Sequence, residues 1–184
     1  MAYVLLAVRL LVGIVFVASA IGKVRGAVAF RSFENSARSM GVPARLSRTV
    51  AVAVVAGECA AVVLLALWPA PGFVLTLLLL AAFTTGIVRT LRSGTKASCA
   101  CFGASTVPIG RRHLVRNTAL LALAAFGLAA RLAGTPTPTE AAGVLIAAFG
   151  ALVGALLVIF TDELGVLFDD GTPRTSGRVR RSAS

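Results

Sequence analysis

"SRTVAVAVVAGECAAVVLLALWPAPGFVLTLLLLAAFTTGIVRTLR", Ser47 to Arg92, decides the fold. It contains two apolar runs, Ser47 to Trp68 and Phe73 to Arg92, separated by "PAPG". About 20 apolar residues rising 1.5 Å each cross a hydrocarbon core of roughly 30 Å, so each run is long enough to span a bilayer. The prolines and glycine between them predict a tight turn. The two runs therefore read as an antiparallel transmembrane hairpin.

The same reading extends in both directions. Tyr3 to Gly22 is a span before the hairpin, and Leu114 to Ala133 and Ala141 to Phe160 are spans after it. The expected fold is an all-α, polytopic transmembrane helix bundle occupying residues 1–160, followed by a polar tail over 161–184 whose last dozen residues are expected to be disordered. Composition agrees: 58% of the 184 residues are hydrophobic, 14% are charged, and the mean hydropathy is +0.92. "ASA" at Ala18 to Ala20 has the form of a signal-peptidase site. The segment before it lacks a basic n-region and is interrupted by Arg9, so a retained helix is expected.

The net charge of +11 belongs to the connectors. Lys23, Arg25, Arg31, Arg38, Arg45 and Arg48 cluster around the first long connector, and Arg89, Arg92, Lys96, Arg111, Arg112 and Arg116 around the second. An even number of spans separates them, so they share one face. Basic connectors stay in the cytoplasm, which puts both long loops and the C-terminus inside and the N-terminus outside. The basic residues are not interleaved with aromatics as single-strand nucleic-acid binding requires, and no nucleic-acid partner is expected. Within the first connector, Val28, Phe30, Phe33, Ala37 and Met40 fall near helical spacing and predict a short amphipathic helix in the interface. Trp68 reads as an interfacial anchor and His113 as a polar loop residue.

Chemistry is expected at two places. "SCACFG", Ser98 to Gly103, puts Cys99 and Cys101 in a polar loop rich in nearby cations. Thiolates are the nucleophiles of disulfide exchange, and cations favour them. A disulfide across C-x-C spacing requires a bend, and strained, accessible disulfides are the labile ones. Cys99, Cys101 and His113 supply at most three ligands without C-x₂-C pairs, so no metal centre is expected. The second place is Glu58, about 16 Å into its helix and near the membrane midplane. An intramembrane carboxyl is a functional candidate. Arg9, entering from the opposite face, is a candidate partner for it, either to fix packing or to leave Glu58 for a proton step or a quinone head group. Cys59 reads as a small buried packing residue. Gly143, Gly150 and Gly154 of the last span can let another helix approach closely, and Gly150-x₃-Gly154 has the spacing of the dimer motif. Hydrolase and nucleotide-binding signatures are missing.

With these residues in place, the chain resembles the methylamine utilisation MauE family, a branch of the DoxX-like membrane proteins, over about residues 10–133. The resemblance rests on "SAIGKVRGAVAF", "SARSMGVP", Glu58, "CACFG" and "VRN" at Val115 to Asn117. It implies a four-helix core, to which the last span adds a fifth helix. It implies thiol–disulfide redox chemistry at Cys99 and Cys101; Glu58, Arg9 and Arg116 are the expected supporting residues. It further implies a thioredoxin-like partner, similarity in arrangement to quinone-linked vitamin K epoxide reductase type proteins, and assistance in maturing a client such as the disulfide-rich small subunit of methylamine dehydrogenase. Two other functions compatible with the residues are a non-enzymatic membrane assembly factor and a small proton-coupled transporter using Glu58. The redox role implied by the family puts the cysteine loop on the oxidising side, opposite to the side the charges give.

Overall fold

The computed structural model describes residues 1–93, 111–136 and 138–169. Its elements are α1 (Ala2–Val24), α2 (Ala27–Ser39), α3 (Ser47–Leu67), α4 (Pro69–Ser93), α5 (Arg111–Leu132) and α6 (Ala141–Asp169). All but α2 are long and apolar enough to cross a membrane. In hydrocarbon each backbone N–H and C=O needs a partner within its own segment, and a helix provides one. The protein is thus a multi-pass, all-helical membrane protein.

α1 is the centre of the bundle, packing against α3, α5, α6 and α2, while α4 packs against α3 and α5. The seams follow from sequence spacing. Leu5, Val8, Val12, Val15 and Ser19 of α1 are buried, as are Ala51, Glu58 and Leu65 of α3 and Phe73, Thr76, Leu80 and Ile87 of α4. Steps of three and four keep one side of each helix facing its neighbours. The opposite faces carry exposed Val63, Leu78, Phe149 and Leu157, which suit contact with lipid.

Helix ends correct several sequence expectations. "PAPG" is not a turn between helices. Trp68 alone separates α3 from α4, and Pro69, Ala70, Pro71 and Gly72 form the first turn of α4. Proline suits that position because the first N–H groups of a helix have no intrahelical acceptor to lose. Gly72 is required there: a Cβ would fall 2.5 Å from the Leu65 backbone nitrogen. The antiparallel hairpin itself forms as expected, with Trp68 exposed at its tip. At the far end of the chain, α6 runs nine residues beyond the expected boundary at Phe160, reaching Asp169. Residues 170–184 lie outside the described residues.

α2 forms, but its buried face differs from the expected one. Ala29, Phe33, Ser36 and Ala37 are buried and Val28 is 76% exposed. The helix packs on α3 and the end of α1, and these contacts choose the buried stripe. Its end is a glycine cap. Gly41 has φ +97°, its N–H donates to the Arg38 carbonyl, and the Val42 N–H donates to the Ala37 carbonyl. This pairing satisfies two carbonyls that helix termination leaves open, and only glycine adopts the φ without strain.

α6, outside the expected four-helix core, packs on α1 through a stripe of small residues at Gly143, Ala147, Ala151 and Ala155. A Cβ at Gly143 would overlap the Tyr3 ring, and one at Gly154 would come within 2.8 Å of Leu11. Gly150 has open space around it. The expected Gly150–Gly154 motif is therefore not one packing surface, and only Gly154 serves the contact with α1.

Candidate functional site: a buried ion pair in the bundle

The pattern Ser19-x₃-Lys23 places a hydroxyl and an ammonium one turn apart on one face of α1. Glu58 faces them from the buried seam of α3. Lys23 Nζ lies 2.6 Å from Glu58 Oε1. Ser19 Oγ donates to the same oxygen at 3.0 Å and accepts from Lys23 Nζ at 2.6 Å. Lys23 is fully buried and Glu58 is 1% exposed. Charges taken from water are tolerated when paired and hydrogen-bonded, and this triangle meets both conditions at Oε1 of Glu58. Two aromatic rings complete the Lys23 environment: Nζ is 4.9 Å from the Phe33 ring centroid and 5.3 Å from that of Phe83. α2 and α4 thus screen the ammonium by cation–π contact.

The expected Arg9–Glu58 pair does not form. The Arg9 guanidinium donates to the Ala66 carbonyl near the other end of α3. Ala66 is eight residues from Glu58, about 12 Å along a helix. Arg9 instead caps a carbonyl that the end of α3 leaves without an intrahelical donor. Lys23 is the residue that sequence reasoning placed elsewhere, as a loop cation. It belongs to α1 and faces inward. Continuing the α1 seam one turn past Ser19 would have found it.

α5 brings further polar groups to the same region. Arg116 and Asn117 are buried, and both line a cavity with Ser19 and Glu58. The Asn117 amide donates to the Leu80 carbonyl at 3.3 Å and to Thr84 Oγ1 at 3.1 Å, tying α5 to α4. Arg116 and Asn117 of "VRN" therefore belong to the bundle interior, with Arg116 in the Glu58 region, whereas Val115 is exposed. His113 is not a loop residue: it is buried in the first turn of α5. Cys59 is not buried either. It is exposed on α3, next to the Glu58 seam in the chain. Cys99 and Cys101 lie outside the described residues, as do Lys96 and the rest of 94–110.

A separate polar cluster anchors α2. Arg38 donates to Glu34 Oε1 at 2.6 Å and to Ser47 Oγ at 2.9 Å, and Ser47 donates to the same Glu34 oxygen at 2.8 Å. The Ser47 hydrogen bond, with Arg38 beside it, holds the Glu34 carboxyl below its usual range.

The class defined by these features is a polytopic helical membrane protein with a lysine–glutamate pair buried at its centre. The family model described as "Methylamine utilisation protein MauE" matches residues 1–130, and the chain belongs to that family. The match takes in α1 to α5 almost entirely and leaves α6 outside. No curated protein and no solved structure matches the chain.

Proposed function

We propose that this protein is a membrane-embedded thiol–disulfide redox protein in which Cys99 and Cys101 form the exchanging pair. The observation that carries the reading is "CACFG" between two spans of a MauE-family chain. In the exchange, a thiolate attacks a disulfide sulfur and forms a mixed disulfide, which the second thiolate then resolves. Two electrons pass from one dithiol to the other pair, and the disulfide changes hands. The proposed partner is a thioredoxin-like protein. The proposed role is disulfide formation or maturation in a client, which in a methylamine-utilising setting is the small subunit of methylamine dehydrogenase.

A membrane quinone is the proposed electron acceptor when the pair is reoxidised, gaining two electrons and two protons. An apolar cavity of about 340 Å³ between α2, α3 and α4, with Arg89 among its lining residues, supports this. That volume falls within the range of small-molecule sites.

The side of the membrane sets the direction of transfer. Positive-inside charge puts the cysteine segment in the cytoplasm, where thiols are kept reduced. A pair on that side would act in client maturation as a reductant, passing electrons outward from the cytoplasmic thiol pool, whereas disulfide formation with quinone as the electron acceptor is the role of a pair on the other side. The test is labelling of intact cells with an impermeant maleimide on a Cys59→Ala background. Labelling only after lysis is the expected result. Labelling only after external reduction would place an oxidised pair outside, reverse the proposed topology and favour an oxidant role. For the chemistry, Cys99→Ser and Cys101→Ser should each abolish exchange without affecting membrane insertion. An active double variant would refute the redox reading.

The Lys23–Glu58 pair favours a second reading, a proton-coupled transporter. In that case Glu58→Gln abolishes function and the cysteines are dispensable. An assembly factor acting without thiol chemistry would tolerate the cysteine changes alike, with Glu58 needed only for folding.

A further inference from the structure

Glu58 directs both of its partners to one oxygen. Oε1 accepts from Lys23 and Ser19, whereas Oε2 is buried and, among the described residues, has no hydrogen-bond partner. A buried carboxylate oxygen left unsatisfied is costly. The space lined by Glu58 is a cavity of about 30 Å³ bordered by residues of α1, α3, α4 and α5. One water needs roughly 10–15 Å³ of such volume and two to four polar partners. The cavity therefore has room for one or two waters and is far too small for an organic ligand.

Its walls divide by chemistry. Phe16, Leu80, Phe83 and Leu120 are apolar, whereas Ser19 and Glu58 face Arg116 and Asn117. An acceptor on α3 thus shares a small cavity with guanidinium and amide groups on α5. Water can donate to Glu58 Oε2 and to the Asn117 amide oxygen, and accept from the Arg116 guanidinium.

We propose that this cavity is a water site. The water donates to Glu58 Oε2 and bridges it to Arg116 and Asn117, joining the ion pair to α5. The bridge carries the polar network across the bundle from Lys23 on α1 to the second turn of α5, which is the helix that follows the cysteine-bearing segment in the chain. This inference is independent of the thiol chemistry.

Radiolytic hydroxyl footprinting of the full chain in lipid nanodiscs, in ¹⁸O-labelled water, tests it. Hydroxyl radicals formed from bound water oxidise the side chains that touch it. The expected result is ¹⁸O incorporation at Phe16 and Phe83 several-fold above that at lipid-facing Phe149. Leu120→Phe, which fills the apolar wall and keeps every polar group, should reduce it to the Phe149 level. Asn117→Leu, which removes a polar partner, should reduce it as well and serves if the first variant does not fold. Native incorporation no higher than at Phe149 would overturn the proposal. So would incorporation unchanged by either folded variant.

Discussion

Glu58 and Lys23 are each other's compensation, and this governs what single substitutions do. Removing one partner leaves an unpaired charge in the bundle, which costs about 3–5 kcal/mol in buried pairs, whereas replacing both with apolar groups of similar volume is often neutral. Lys23→Met and Glu58→Leu should therefore each lower the thermal midpoint in detergent strongly. The double variant should recover most of the loss. Additive losses would mean that the two side chains do not meet. Arg9→Leu should be milder, because Arg9 bonds a backbone carbonyl and is only partly buried. A strong shared effect of Arg9 and Glu58 would point to an Arg9–Glu58 pair instead.

At the scale of an element, α2 is held by two kinds of contact. Phe33 packs with Ala51 and, together with Phe83, borders the Lys23 ammonium. Glu34, Arg38 and Ser47 tie the helix to the start of α3. Because the folded state lowers the Glu34 pKa, ionised Glu34 favours the folded connector. That contribution is present above the unfolded carboxylate value, about 4.3. It is lost as pH falls through the lower folded value. Hydrogen exchange over residues 27–46 should accelerate below about pH 4 relative to neutral pH, after correction for intrinsic exchange. Glu34→Gln should have the faster exchange already at neutral pH and gain little more on acidification. An identical acid response in both proteins would exclude Glu34 as the titrating group.

Across the whole molecule, α6 is an addition to the part that the family model covers. Its contact with α1 depends on backbone proximity through small residues, the usual means of helix association where lipid removes the hydrophobic contrast. Gly154→Leu should separate α6 from α1 and lower stability by about 1–3 kcal/mol, as overpacking does. Gly150→Leu should be near neutral. Equal damage at both positions would indicate that Gly150 has a packing partner. A chain ending before α6 should still insert and keep the Lys23–Glu58 pair, because α2, α3, α4 and α5 supply the other groups around it.

The sequence alone determined the number of spans, their order and the hairpin of α3 and α4, because hydrocarbon thickness and backbone satisfaction are read directly from apolar run length. It also marked Glu58, since a carboxyl in an apolar run stands out without a structure. Family likeness, residing in short motifs, was legible for the same reason. The tertiary structure decided which charge answers Glu58. Arg9 and Lys23 are both basic residues of one helix, and only the stagger of α1 against α3 brings Lys23 to 2.6 Å and leaves Arg9 at Ala66. It likewise turned Cys59 outward, drew His113 and Arg116 into the bundle, and selected Gly154 over Gly150. In each case the deciding quantity is the rotation and offset of one helix against another. Those are set by packing among residues far apart in the chain, and no local spacing encodes them.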